Sequence, residues 1–308
     1  MFVEGSTLPH RFTDFTKVKV TRGSEIPVKS STNDKWDVEV QCMCVLPSTN
    51  ICIGDFHNKS LRIIDQKSEI LSKVTLSDIP NDICRLSHEK VAFILSEVSE
   101  IQTASVSGDR IILQERTALK MKNETGKCYA LTFYNNNFFL GSGNGLVVKV
   151  NRDGEEILST QTNSELFRRP YNIKVANAEI YVADYGTHII TRLNEMLEVL
   201  QKFEYPGNDG PHMIMFVGGE QFLVNGSRPD REWYKLQVFE TTTGIFKELL
   251  EKDQEYLDTD AFKNSNQLFG YCPRLGKVYL SRKPSDLGSH DDTIQEYVFT
   301  LNDGSNYY

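Results

Sequence analysis

Two stretches of the chain carry an acid in the same place. ICIGDFHNKSLRIID at 51–65 and IYVADYGTHIITRLN at 180–194 each run apolar, stop at an aspartate, pass a short polar loop and turn apolar again. The acids are Asp55 and Asp184. A carboxylate placed so has three chemistries open to it. It can move a proton, it can give oxygen ligands to a hard cation such as calcium, or it can accept the backbone N–H groups of its own turn.

Other reactive side chains narrow the choice. The histidines at 10, 57, 88, 188, 212 and 290 form no pair at i, i+2 or i+4 of the kind a metal site uses, although His57 and His188 lie in equivalent loops and could both approach a ligand. The cysteines at 42, 44, 52, 84, 128 and 272 sit in apolar, strand-like contexts such as VQCMCVL, which reads as buried small hydrophobes rather than a zinc site or a disulfide framework. GSGNG at 141–145 is followed by LVVKV, a second strand and not a helix, so its glycines serve a hairpin and not a phosphate loop. No serine elbow or Cys/His dyad is evident, and no catalytic residue, metal ligand or cofactor is assigned. The sequons NKS (58–60), NET (123–125) and NGS (225–227) are read as chance matches, since no secretory signal is visible.

What positions the acids is a repeat. A proline followed three residues on by isoleucine recurs as PNDI, PYNI and PHMI, at Pro80, Pro170 and Pro211. An offset of fourteen residues leads from Gln41 to Asp55, Cys128 to Ser142, Pro170 to Asp184, Pro211 to Asn225 and Leu268 to Arg282. After Pro80 it reaches Ile94, where one residue of slippage is expected. Units therefore start near 41, 80, 128, 170, 211 and 268. The fourth unit spells YNIKVA, EIYVAD, IITRLN and EVLQKFEY, four short strands broken by turns. Four alternating strands per unit of about 40 residues is the pattern of a β-propeller blade. TGIFKELLEKDQEYLD (243–258) reads as a short helix or an outer strand followed by an insertion.

Closure points the same way. The sixth unit has three strands before the polar tail, while TKVKVT (16–21) is an orphan strand at the other end, followed by the polar linker RGSEIPVKSSTND. Adding it to the last blade closes the ring and removes two exposed edges. The expectation is an all-β, six-bladed propeller, one domain over 1–308, closed by an N-terminal strand.

PYNIKVANAEIYVADYGTHIITRLN resembles an NHL repeat, and ICIGDFHNKSLRIID is the second good match; the other units fit by spacing. Over about 38–300 the chain is similar to the propeller of tripartite-motif (TRIM-NHL) proteins, especially divergent invertebrate members. The resemblance implies a non-catalytic binding platform, similar to a substrate-recognition module. The RING, B-box and coiled coil of that family are absent from these 308 residues, so the RING-dependent ubiquitin-ligase activity is not carried over. Six-bladed lactonases of the gluconolactonase type hold a channel calcium with Glu, Asn and Asp. Here the corresponding ring of Asp55, Ser142, Asp184, Asn225 and Arg282 has two carboxylates and an arginine that opposes a cation, so the turn reading is preferred and a calcium-dependent hydrolase ranks last.

In such a ring the loops beside these positions open on one face, called upper here. That face collects Arg168, Arg169, Arg228, Arg231, Arg282 and Lys283, with aromatics Phe56, Tyr171, Tyr185, Trp233 and Tyr234 and the histidines His57 and His188. Arginine beside exposed aromatics suits a protein-interaction hot spot or stacking on single-stranded RNA. Acids such as Asp209, Asp230, Glu232, Asp286, Asp291 and Asp292 share the loops. The net charge of −8 also repels phosphate backbones, so a protein partner ranks above RNA, and DNA is not expected. A hydrophobic content of 39% with 25% charged residues is ordinary for a soluble chain, and no apolar run approaches the ~20 residues that span a bilayer. No membrane partner is expected, and a cytoplasmic location is.

Overall fold

The computed structural model describes residues 18–28, 31, 33–95, 97–107, 109–122, 126–160, 166–207, 210–227, 234–249, 269–282 and 292–301, with backbone alone at 227, 234, 235, 269, 282, 300 and 301. Every regular element among them is a strand, and the strands form six antiparallel four-stranded sheets. The first blade comprises β2 (Val40–Val45), β3 (Ile51–Asp55), β4 (Ser60–Ile64) and β5 (Ile70–Thr75). The second comprises β6 (Pro80–Arg85), β7 (Lys90–Leu95), β8 (Glu100–Ser107) and β9 (Arg110–Ala118). The third holds β10 (Cys128–Tyr134), β11 (Asn137–Ser142), β12 (Val147–Val150) and β13 (Glu156–Ser159). The fourth holds β14 (Pro170–Ala176), β15 (Glu179–Asp184), β16 (Ile189–Leu193) and β17 (Val199–Glu204). The fifth is built of β18 (Gly210–Gly218), β19 (Gln221–Ser227), β20 (Tyr234–Glu240) and β21 (Phe246–Glu248).

The sixth blade joins the two ends of the chain. It runs β1 (Val18–Pro27), β24 (Thr293–Leu301), β23 (Lys277–Arg282), β22 (Phe269–Cys272), so the N-terminal strand is the outermost of the last blade. β1 pairs antiparallel with β24 from Val18↔Leu301 to Pro27↔Thr293. It runs through Arg22–Pro27, where the sequence suggested a polar linker. A bulge between Arg22 and Glu25 lets those two polar residues face solvent and pair with each other while Ile26 returns to the core. The stretch 243–258 supplies an outer strand, β21; from 250 to 268 it lies outside the described residues.

Burial falls from axis to rim. In the fourth blade β14, β15 and β16 are mostly buried, whereas β17 is exposed at all but Phe203. A central strand of a blade is covered on both faces by the neighbouring sheets, so it must be apolar on both, and the rim strand need not be. The hydrophobic clusters accordingly straddle adjacent blades: Leu61 and Ile63 pack with Val91 and Phe93, Phe139 with Ile173 and Val182, Tyr181 with Phe222 and Phe239. All six cysteines are buried, and burial pushes the Cys42 and Cys52 thiols well above their usual range. Polar clasps add to the apolar seams. Asp82 of β6 accepts the Leu131 N–H of β10 at 2.8 Å, and Asn172 of β14 accepts the Ile214 N–H of β18 at 3.2 Å.

One irregularity recurs at the start of the inner strands. The register to the second strand shifts between Val40 and Cys42, Pro80 and Asp82, Cys128 and Ala130, Pro170 and Asn172, and Pro211 and Met213. Each bulge leaves one residue out of the pairing: Gln41, Asn81, Tyr129, Tyr171 and His212.

Candidate functional site at the axial mouth

The register fixes what the repeated acid column contains. Val40 faces Asp55, Pro80 faces Leu95, Cys128 faces Ser142 and Pro170 faces Asp184. In the fifth blade Pro211 faces Gly226, and Asn225 sits opposite Met213. Asn225 therefore belongs one position away, with Gly54, Gly141 and Ala183, and not in the acid column as its spacing suggests. A second bulge, between Phe216 and Gly218, adds the residue that breaks the count.

Both aspartates are fully buried and engaged. Asp184 accepts the backbone N–H of Arg168 (2.7 Å), Arg169 (3.0 Å), Gly186 (2.8 Å) and Thr187 (3.0 Å). It thus closes its own β15–β16 turn and holds the segment leading into β14. Asp55 accepts the N–H of Glu39 (3.4 Å) and Asn58 (3.3 Å), the Asn58 amide (2.8 Å), and a hydrogen bond from the buried Arg62 guanidinium. Arg62 reaches on to Asp34 at 3.0 Å, which Lys73 also contacts. Burial works to raise the Asp34 carboxyl, but Lys73, Ser31 and Arg62 outweigh it and hold the group at about 2. The Ser142 hydroxyl accepts the Leu146 N–H at 3.3 Å. These carboxylate and hydroxyl oxygens serve turns and blade connections, and the turn reading describes them.

The bulged residues make the site instead. A cavity of about 20 Å³ opens at the upper end of the inner strands, and all five of Gln41, Asn81, Tyr129, Tyr171 and His212 line it, together with Asp82. An unpaired residue at the start of an inner strand is released from the pleat, so its side chain can turn to the axis. Gln41 Nε2 donates to Asn81 Oδ1 at 3.0 Å, and Asn81 Nδ2 donates to the Cys128 carbonyl at 3.2 Å. The rings of Tyr129 and Tyr171 lie parallel, centroids 5.9 Å apart, and Tyr171 meets His212 at 4.1 Å. Tyr185 meets His212 edge-on at 5.8 Å and stacks towards His188 at 6.4 Å. Burial lowers the His212 imidazole to about 4, so it is neutral near pH 7, and its buried Nδ1 has no hydrogen-bond partner among the described residues. The Tyr171 phenol is pushed up by burial, with Tyr129 and Asp82 adding to the effect.

The residues expected to form an upper binding face are distributed unequally. Tyr171, Tyr185 and His188 join the aromatic chain through His212, and exposed Arg168 and Arg169 stand at the head of the same blade. Phe56 and His57 meet each other edge-on at 5.2 Å in blade 1, and His57 lies 2.9 Å from Glu39. Blade 1 is separated from blade 4 by two blades on either side. The loops are equivalent but the histidines are not: His188, four residues after its aspartate with φ +61°, matches Lys59 with φ +43°. Arg228, Arg231 and Trp233 lie outside the described residues, and of Arg282 only the backbone is described, at the end of β23. Gln41, Asn81, Tyr129 and His212 share no sequence motif that would group them. The residue after the proline of Pro-x-x-Ile marks Asn81, Tyr171 and His212, whereas Gln41 follows Val40 and Tyr129 follows Cys128.

No family profile and no curated protein sequence matches the chain. Solved structures do. Virginiamycin B lyase from Staphylococcus aureus is similar over 91% of this chain and 99% of that one, with a TM-score of 0.61 at 14% identity. A streptogramin B lyase is similar over 93% and 99%, TM-score 0.60, 11% identity. The β-propeller domain of Cps50 (Swd1) from Myceliophteria thermophila is similar over 85% and 84%, TM-score 0.54, 12% identity. At such identities the likeness is one of fold, the β-propeller.

Proposed function

We propose that this propeller is a non-catalytic binding platform whose upper mouth takes a protein partner, in the manner of the TRIM-NHL propellers its repeats resemble. The observation that carries the reading is the run of rings from Tyr129 through Tyr171 and His212 to Tyr185 at the axial mouth, with Arg168 and Arg169 exposed beside it. Partly buried aromatics with neighbouring arginines have the composition of a hot spot. They are pre-ordered by the inner-strand bulges, so little side-chain entropy is lost when a partner seats. The Asp184 carboxylate is taken up by backbone N–H groups and that of Asp55 by backbone N–H groups, the Asn58 amide and Arg62, which favours a platform over a hydrolase. Propellers of this fold serve as interaction scaffolds and also as enzymes, such as the two lyases above, so the fold alone does not choose.

Single-stranded RNA is the second reading, favoured by the parallel Tyr129 and Tyr171 rings and opposed by the net charge of −8. Affinity purification of the intact chain beside a Tyr129→Ala/Tyr171→Ala variant, read by quantitative mass spectrometry, tests both. A stoichiometric protein partner lost by the variant is expected. Saturable, salt-sensitive binding of random single-stranded RNA with no such partner would replace the first reading by the second.

A further inference from the structure

The axial cavity has a size and a lining that select one kind of occupant. A volume of about 20 Å³ accommodates a single group the size of a water molecule. Among the described residues that line it there is no lysine or arginine. The lining includes the Asp82 carboxylate, whose oxygens also accept the Ile83 and Leu131 N–H groups, neutral His212, whose Nδ1 has no hydrogen-bond partner among the described residues, and the rings of Tyr129 and Tyr171. Nδ1 is an acceptor in the tautomer that carries the ring proton on Nε2. Gln41 is held by its bond to Asn81, which uses one of the two donors on its amide nitrogen.

A lysine ammonium fits this description. It is compact, carries three donors and accepts nothing, and it is attracted to the face of tyrosine. A carboxylate or phosphate would meet Asp82. The net charge of −8 favours the approach of a cation.

We propose that the axial mouth is a lysine-tip pocket, in which a lysine of the protein partner places its ammonium among Asp82, His212, Tyr129 and Tyr171. This deepens the platform reading and rests on it for the source of the lysine. The cavity is built from the five bulged residues at once, so the pocket is a property of the closed ring and not of any one blade.

The probe is n-butylammonium, with 1-butanol as the neutral control, titrated into the full chain and read from the His212 and Tyr171 ring resonances by NMR. Saturable shifts with butylammonium and none with butanol are expected, and Asp82→Asn should weaken binding about tenfold or more. Should Asp82→Asn fail to fold, because Asp82 also clasps Leu131, His212→Phe keeps the ring contacts and must show a comparable loss. Equal responses to the amine and the alcohol, or unchanged binding in the folded variant, would overturn the pocket. A captured partner that excess butylammonium does not release overturns the lysine pocket and leaves the platform standing. Butylammonium binding with no captured partner overturns the platform and leaves the cation site.

Discussion

Oδ2 of Asp184 accepts the backbone N–H of Arg168 at 2.7 Å, joining the end of β15 to the segment that leads into β14. The bond spans 16 residues of sequence and is one of several the same carboxylate makes. Asp184→Ala leaves Arg168, Arg169, Gly186 and Thr187 donors without their acceptor in a buried setting. The expected loss is about 3–5 kcal/mol, with Asp184→Asn intermediate because one acceptor oxygen survives. Urea denaturation measures it, and a loss below about 1 kcal/mol would remove the carboxylate from the list of turn-forming groups.

Arg62 is the counterpart in blade 1, fully buried between Asp55 and Asp34. Arg62→Ala removes the cation shared by two buried carboxylates, leaving Asp34 to Lys73 and Asp55 to neutral donors, and should cost about 3–5 kcal/mol. Arg62→Lys should recover only part of that, since an ammonium is a point charge and cannot reproduce the forked contact to both acids. The comparison of the two variants by thermal or chemical melting is the check.

Blade spacing is tested at Gly141. A Cβ there would stand 2.3 Å from the Pro170 carbonyl oxygen, a backbone atom of the next blade that cannot rotate away. Gly141→Ala should destabilise by about 1–3 kcal/mol through separation of blades 3 and 4. An unchanged melting temperature would mean that the blades shift apart freely.

Acid should weaken the fold in two windows. His212 is held at about 4 against an ordinary 6.5, so the folded ring resists a proton that the unfolded chain accepts. Its contribution is complete above pH ~6.5 and is lost as pH falls towards 4; below that both states are protonated and the loss stops. Asp34, held at about 2 against 3.8, contributes fully above pH ~3.8 and loses its contribution as pH falls towards 2. Urea midpoints measured from pH 7 to 4.5 should fall more steeply for the natural chain than for His212→Phe. Parallel slopes would show that His212 is solvated.

The two Asp phrases, the recurrent prolines and the missing strand of the last unit were all readable because each is local or a simple count. An acid at the end of an apolar run, followed by Tyr-Gly or Phe-His, finds backbone donors within three residues, and that chemistry holds wherever the strand packs. The limit of counting appears at Asn225. A bulge between Phe216 and Gly218 shifts the hairpin by one residue, and a bulge is decided by how two strands pair, which no single strand records.

The sequence by itself determined six strand units, the closing role of the N-terminal strand and the turn role of Asp55 and Asp184, since hydrophobic alternation and turn chemistry act over a few residues. Only the tertiary structure decided that Gln41, Asn81, Tyr129, Tyr171 and His212 meet. They lie about 40 residues apart, are two carboxamides, two tyrosines and a histidine, and have in common an unpaired place at the head of an inner strand. Ring closure turns that shared place into one cavity, because it aligns the six inner strands around a common axis and brings the residues released by five of them together at its mouth.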